Sequence, residues 1–328
     1  MAVLGNEEHK QRLNLSSLAR SVVEMDRSVF DEGGSLSRFL NRVITAFREK
    51  ADASIDVAVA ERKTHLQENG YDEAIVEKLS REYRLRLEQK KESYPQGDCL
   101  TFRLNNRNFD LLYEVRAESR SYTAPGKYLK ALIEEYARLS PSEREGVYYA
   151  SMIDTLQGAI DAGYLLEVEL SGKTFFVRPY KIMADPFNSH LYLTGYSRRQ
   201  DCDRQMIASF RITRLENVRV RRQGGKLTVD DRRALEEKLR RTGVQYLIGD
   251  AQVITLRLTQ AGRREFLQRS YMRPFPDSVE GDVYRFSCTP LQIRNYFLSF
   301  GKDVEILSPD SLRRDFAEVY EKALEIYK

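Results

Sequence analysis

At 328 residues the chain is longer than one hydrophobic core usually serves, so roughly two to four domains are expected. A net charge of only +4 excludes a global polycation, so any nucleic-acid surface must arise from local segregation of charge. Three cysteines, odd in number and far apart (Cys99, Cys202, Cys288), exclude a disulfide framework and suit a reducing cytoplasmic setting.

The N-terminal MAVLGNEEHK lacks the apolar core of a signal peptide, and no apolar run approaches the roughly 18 to 20 residues that span a bilayer. Residues 10–15 alternate, with Gln11, Leu13 and Leu15 on one side and Lys10, Arg12 and Asn14 on the other. Ser16 or Ser17 then caps a helix carrying Leu18, Val22, Met25 and Val29. Gly33-Gly34 breaks it, Ser35 caps a second helix, and Leu36, Phe39, Leu40, Val43, Ile44 and Phe47 form a broad apolar stripe. A unit of this size cannot bury its own apolar faces and needs a second copy. A second copy is suggested by two echoes. Arg12-Leu13-Asn14 returns as Arg103-Leu104-Asn105 at an offset of 91, and the stripe returns as Tyr128-Leu129, Leu132-Ile133 and Tyr136 at an offset of 89. A single ribbon strand needs a partner, which the second copy can supply within the chain or by exchange between chains, and a homodimer is expected.

This unit resembles the ribbon-helix-helix family, in which two strands pair into an antiparallel ribbon whose outward side chains can read duplex DNA. The resemblance implies ribbon contacts from Arg12, Asn14, Arg103 and Asn105, and a phosphate at the helix N-terminus that follows Gly33-Gly34-Ser35. The second copy has Ala124-Pro125-Gly126 in place of that turn. The alternative is a solvated ribbon that serves assembly alone.

Residues 48–92 are charged and helical, interrupted by Asn69-Gly70, and read as two connecting helices with solvated faces. Pro95 and Gly97 mark a linker, and Ser140-Pro141-Ser142-Glu143 is a capping box with Pro at the first helical position. Residues 175–222 follow as short strands, at 177–182, 190–196, 206–213 and 218–221, separated by Gly, Pro, Asn, Asp and Ser. Alternation puts Tyr192, Thr194 and Tyr196 on one face and Leu191, Leu193 and Gly195 on the other. Arginine presents a fixed fork to phosphate and tyrosine stacks on bases, so Arg178, Tyr180, Tyr192, Tyr196, Ser209, Arg211 and Arg214 are the candidate contacts. Tyr180 and Tyr192 can equally be half-buried core residues, and Arg211 and Arg214 can pair with Asp185, Asp201, Asp203 or Glu216.

Arg178-Pro179-Tyr180, Leu191-Tyr192-Leu193 and Phe210-Arg211-Ile212-Thr213-Arg214-Leu215 are similar to the WYL domain, an Sm-like β-barrel of prokaryotic regulators. Leu191 stands where the family has Trp, and Ala208 where it often has Arg. The resemblance implies a basic pocket for nucleic acid or another charged ligand, without catalysis. The remainder reads as a helix over 228–241 and then a βαβαβα layer with helices on one face. FLSFGKDVEILSPDSLR (297–313) resembles the extension that often follows WYL domains.

Catalytic signals are lacking: His9, His65 and His190 lie in separate segments, and no Cys-x-x-Cys, P-loop or nucleophile elbow is present. The triplet Asp201-Cys202-Asp203 reads better as a polar loop than as a metal site, and no cofactor is expected. The expected fold is a multidomain α+β chain: a ribbon-helix-helix unit (1–50), a helical linker (51–98), a second strand-helix-helix unit (99–150), a WYL barrel (151–225) and a C-terminal α/β extension (226–328). The combination resembles accessory proteins encoded beside type VI-D CRISPR effectors. It implies a non-enzymatic cytoplasmic protein that binds single-stranded RNA and stimulates an RNA-guided RNase. A DNA-binding transcriptional regulator with a ligand-sensing WYL domain is the alternative.

Overall fold

A computed structural model describes residues 9–92, 94–95, 97–117, 125–247 and 251–328. The first eight residues, read above as free of a leader, and Ala124 lie outside the described residues. The chain is multidomain α+β and divides into two compact units, Met1–Ala150 and Ser151–Lys328.

In the first unit, strand β1 (Lys10–Asn14) leads into helices α1 (Ser17–Phe30), α2 (Leu36–Glu68) and α3 (Glu73–Glu92). Strand β2 (Cys99–Arg103) leads into α4 (Asn106–Ala117), α5 (Pro125–Arg138) and α6 (Pro141–Tyr148). β1 and β2 pair antiparallel within the chain, Lys10 opposite Arg103 and Asn14 opposite Cys99. Each element of the second copy starts 89 positions after its counterpart: Lys10 and Cys99, Ser17 and Asn106, Leu36 and Pro125. The echo at 91 is therefore a coincidence of lettering. Arg12 corresponds to Thr101, Leu13 to Phe102, and the capping Ser16 to Asn105.

The core of this unit follows the repeat. Leu13, Phe39, Leu40, Val43, Ile44 and Phe47 of one copy and Phe102, Tyr128, Leu129, Leu132, Ile133 and Tyr136 of the other are all buried in one cluster. Each such aliphatic or aromatic side chain contributes about 1.5–3 kcal/mol on burial. Polar side chains pin the seam between the copies. Asn41 donates to the Arg103 carbonyl at 2.7 Å and accepts from the Asn105 N–H at 2.8 Å. Glu134, buried, accepts from the backbone N–H and the hydroxyl of Ser16 at 2.6 and 2.7 Å. Buried Asp26 takes hydrogen bonds from Arg144 Nε and the Tyr136 hydroxyl, both at 2.7 Å. The position-50 boundary falls inside α2, which runs unbroken for 33 residues and turns at Asn69-Gly70 into α3. Lys63 with Glu77 and Arg84 with Asp56 tie the two helices of this hairpin across their mixed-charge faces.

The second unit begins with α7 (Ala150–Ala162) and a five-stranded antiparallel sheet. Its strands are β3 (Tyr164–Leu170), β4 (Lys173–Ala184), β5 (Leu191–Arg199), β6 (Gln205–Arg211) and β7 (Asn217–Gly224), in the order β6-β5-β4-β3-β7. β3 was not foreseen. The 206–213 strand ends two residues early, because Ile212–Arg214 form a 3-10 turn. Gly195 is required by close approach, since a Cβ there would meet the Arg178 carbonyl oxygen at 2.3 Å.

After α8 (Val229–Thr242) and a short 3-10 turn (Val244–Tyr246) comes a second sheet, of β8 (Gln252–Leu258), β9 (Ser278–Glu280), β10 (Val283–Cys288) and β11 (Val304–Ser308). The helices between and after them are α9 (Gln260–Gln268), α10 (Pro290–Phe297) and α11 (Asp310–Glu325). The order β11-β8-β10-β9 is antiparallel throughout, so the expected βαβαβα layer gains a fourth strand, β9, at one edge. Alternation buries Ile254, Leu256, Leu258, Tyr284, Phe286 and Cys288 with Phe266, Ile293, Phe297 and Phe316 in its core. Among the described residues no helix is long and apolar enough to cross a membrane.

Candidate nucleic-acid interface

The five-stranded sheet brings most of the sequence-predicted contacts onto one face. Residues directly opposite each other in a ladder share a face. Tyr192 is opposite Arg211, Thr194 opposite Ser209, and Tyr196 opposite Arg178. Arg178, Tyr192, Tyr196, Ser209 and Arg211 therefore lie together on one face.

The structure then separates them by what else reaches them. Arg178 forms an ion pair with Asp231 of α8, donates to the Lys226 carbonyl at 2.8 Å and lies 5.6 Å from the Tyr196 ring centroid. Its fork is occupied. Tyr180 sits at a bulge, where the register slips between Pro179 and Lys181. The bulge re-aims its side chain, which is buried and donates its hydroxyl proton to Glu236. Ser209 is buried, with 4% of its surface exposed. Tyr196 is half-buried, and its phenol is held above its usual pKa by burial and then by the charge of Asp231. Arg178, Tyr180, Tyr196 and Ser209 thus serve the packing of α8 and the sheet rather than an open contact surface. The cause lies in residues of α8, about fifty positions away in sequence, which a local reading of the strands cannot reveal.

The other predicted acid partners are also spoken for. The Asp185 carboxylate accepts from the backbone N–H groups of Phe187, Ser189 and His190 at 2.9, 3.2 and 2.8 Å, closing the β4–β5 turn. Asp201 pairs with Arg199 and Asp203 with Arg198, which accounts for the Asp-Cys-Asp loop. Glu216 accepts from the Ser171 N–H at 2.7 Å. Glu167 takes Arg221 and Arg219, and the Arg221 hydrogen bond is the main reason its carboxyl titrates below the usual range.

Arg211 and Arg214 are left over. Among the described residues neither side chain has a hydrogen-bond or ion-pair partner, and Arg211 Nε is buried and unsatisfied. A buried N–H without an acceptor costs about 1–3 kcal/mol, so an anion that supplied one would be strongly favoured. Arg211 is the last residue of β6, Arg214 is exposed in the turn that follows, and Tyr192 faces Arg211 across the ladder. Two aromatic residues outside the sequence-predicted set lie in loops here or packed against them: Phe187 in the β4–β5 turn and Tyr271, whose rings meet at 4.1 Å. An aromatic ring in a turn otherwise built of Asp185, Pro186, Asn188 and Ser189 was the available signal for the first. A cleft of about 670 Å³ between α7 and β7 opens at Tyr164, Arg222, Gly224 and Lys226, but its central Arg178 is the one bound to Asp231.

Asp231 is held below the usual carboxylate range chiefly by the backbone N–H of Thr228, with Arg178 adding to it. Because its folded pKa is depressed, the stability it contributes is complete above the unfolded value near pH 4 and is lost as pH falls through the folded value. Asp231→Asn is therefore expected to lower the melting temperature of this unit at pH 7. The gap to the parent protein should close as pH falls from the unfolded value near 4 through the depressed folded value. Thermal melts of both proteins across that range check this, and a gap that stays constant would remove Asp231 from the acid response.

On the ribbon, Arg12, Asn14, Thr101 and Arg103 are exposed, while Leu13, Leu100 and Phe102 are buried. Ser35 caps α2 by accepting from the Arg38 N–H at 3.1 Å and stays exposed. A Cβ at Gly34 before it would meet Asp31 Oδ2 at 1.8 Å, so a larger residue there would have to displace the Asp31–Arg38 ion pair. Asn105 is not a ribbon residue: it follows the strand, and its Oδ1 accepts from the Asn108 N–H at 2.8 Å as the cap of α4. Among the described residues no group of three His, Cys, Asp or Glu is placed to hold a metal ion.

Residues 250–324 match the family model for the WCX domain. The WCX match covers the antiparallel β8–β11 sheet and nearly all of its helices, where the sequence resembled the extension that follows WYL domains. Beyond the WCX segment, the whole chain shares its fold with the crystal structure of a CRISPR Cas-related protein. The two align with a TM-score of 0.75 at 22% identity, over 97% of this chain and 94% of that one. Proteasome accessory factor B/C (PafBC) of Arthrobacter aurescens aligns over 97% of this chain and 50% of its own at 12% identity, and its TM-score of 0.29 carries no argument. No curated protein matches the chain.

Proposed function

We propose that the chain is a non-enzymatic CRISPR accessory protein that binds single-stranded RNA at Tyr192, Arg211 and Arg214 and stimulates an RNA-guided RNase. The observation that carries this reading is the pair of arginines without partners, one with a buried unsatisfied Nε, at an end of the sheet that also holds a tyrosine. A phosphate supplies the missing acceptors, and the tyrosine ring offers a stacking face. In support, the chain shares its fold with a CRISPR Cas-related protein and carries a WCX domain. In this reading β1, β2 and their helices form a ribbon-helix-helix unit, and the five-stranded sheet an Sm-like WYL barrel. The protein is cytoplasmic and works as a homodimer. Because the ribbon closes within one chain, the second copy would meet a different surface.

A second reading has an observation of its own. The ribbon is complete in a single chain and turns Arg12 and Arg103 outward, as a reader of duplex DNA would. One titration separates the two: binding to single-stranded RNA, single-stranded DNA and duplex DNA across a salt series. For RNA held by about four to six phosphates, log K is expected to fall with log salt at a slope of roughly −3 to −4. Tighter binding of duplex DNA at every salt concentration would transfer the function to the ribbon.

A further inference from the structure

Phe187 and Tyr271 leave 42% and 48% of their surfaces exposed while their rings meet at 4.1 Å, tilted by 46°. Single exposed apolar residues need no explanation, but two large rings brought together in solvent from segments remote in sequence do. Both are held from beneath. The Phe187 backbone is fixed by its N–H bond to Asp185, whose carboxylate also holds the N–H groups of Ser189 and His190. Tyr271 precedes Met272, which sits at φ +54 and accepts from the Tyr246 hydroxyl at 3.6 Å. On either side of it, the Arg269 carbonyl accepts from Tyr296, and Arg273 donates to the Phe266 carbonyl at 3.3 Å. Rings on pinned backbone, packed against each other, form a preorganised aromatic surface that loses little entropy when a base stacks on one of them.

Their position gives that surface a ligand. The turn carrying Phe187 closes directly on the pair Ala184 and Leu191, and the next pair along is Met183 and Tyr192. Tyr192 in turn faces Arg211. The exposed rings and the arginines without partners therefore occupy one end of the same sheet. Cations for a phosphate backbone beside a flat aromatic face is the arrangement that single-stranded nucleic acid recognises, because every base has a π-face to stack. The geometry points to Phe187 and Tyr271 as a base-stacking platform for the strand whose phosphates lie on Arg211 and Arg214. This rests on the single-stranded RNA reading above and assigns the bases a site of their own.

The test uses the full chain, short oligoadenylate RNA carrying 2-aminopurine, and an abasic strand of the same length. The protein has no tryptophan, so the 2-aminopurine signal is read without that background. Phe187→Leu and Tyr271→Leu keep apolar bulk and remove the ring. Each is expected to bind the base-containing strand about 5- to 100-fold more weakly, to relieve the 2-aminopurine quenching, and to leave abasic binding and the salt slope unchanged. Variants that bind both strands as the parent does would overturn the platform while leaving the arginine site standing. Equal losses on both strands would also overturn it, since a stacking site cannot affect a strand without bases. If the parent binds neither strand, the single-stranded reading fails and the platform with it. Circular dichroism and melting of each variant confirm the fold. The two single substitutions lie in separate loops, so one folded variant suffices.

Discussion

Changing Arg211 and Arg214 together to alanine is expected to weaken single-stranded RNA binding by about 100- to 10,000-fold, with the fold intact. Each guanidinium would make charge-assisted hydrogen bonds worth about 1.5–3 kcal/mol. The loss of two phosphate contacts should also flatten the salt slope by about 1.4. Stability should hold or rise, by up to about 1–3 kcal/mol, because neither side chain has a partner to lose and the variant no longer buries an unsatisfied Arg211 Nε. Arg178→Ala is the contrasting control. It breaks the pair with Asp231 and strips a hydrogen bond from the Lys226 carbonyl, so it should lower the melting temperature. Fluorescence anisotropy at fixed salt, with melts on the same samples, separates the two effects. Should the double variant bind like the parent while Arg12→Ala does not, the ribbon is the contact surface and the sheet is not.

Asp26→Ala should destabilise the first unit by about 3–5 kcal/mol, the cost of leaving one member of a buried ion pair without its partner. Asp26 is 4% exposed and Arg144 7%, and Arg144 Nε lies 2.7 Å from the carboxylate. The Tyr136 hydroxyl loses its acceptor as well. Burial, followed by the charge of Asp26, pushes the Tyr136 phenol far above its usual pKa, so it remains a donor at every pH the protein would meet. Tyr136→Phe removes only that donor and should cost about 1 kcal/mol. Chemical denaturation followed by circular dichroism ranks the two. Equal costs would mean that Arg144 finds water when Asp26 is gone, and that the site is not sealed.

How far the sequence could be read depended on the range of the forces involved. The ribbon strands, α2 and the capping residues Ser35 and Ser140 were legible because periodicity and caps act within a few positions, whereas in α1 only Val22 of the expected stripe is buried and Leu18, Met25 and Val29 are exposed. The apolar stripes gave the correct repeat offset for the same reason: Phe39 with Tyr128 and Phe47 with Tyr136 fill equivalent core positions. The short polar echo at Arg12 and Arg103 misled, because solvent-facing strand residues are free to vary and chance can align them. β3 was missed because Leu165, Leu166, Val168 and Leu170 follow directly on an amphipathic helix without a break other than Gly163. On the five-stranded sheet, alternation put Tyr192 with Tyr196 along one strand, and the cross-strand register, which local pattern does not give, set Arg178, Ser209 and Arg211 beside them. Which of them stay open was decided by Asp231 and Glu236, which arrive from α8, and no local pattern announces that docking. The bulge at Tyr180 adds a one-residue slip that strict alternation cannot anticipate.

The constant spacing of the two halves has a consequence for what the ribbon can recognise. A ribbon assembled from two identical chains is bound by symmetry: every change appears twice, and a site it contacts is palindromic. Here both strands belong to one chain, and the halves have drifted apart, Arg12 against Thr101 and Asn14 against Arg103. A polymer lying across this ribbon would meet different chemistry at its two ends, and could be held in one polarity only.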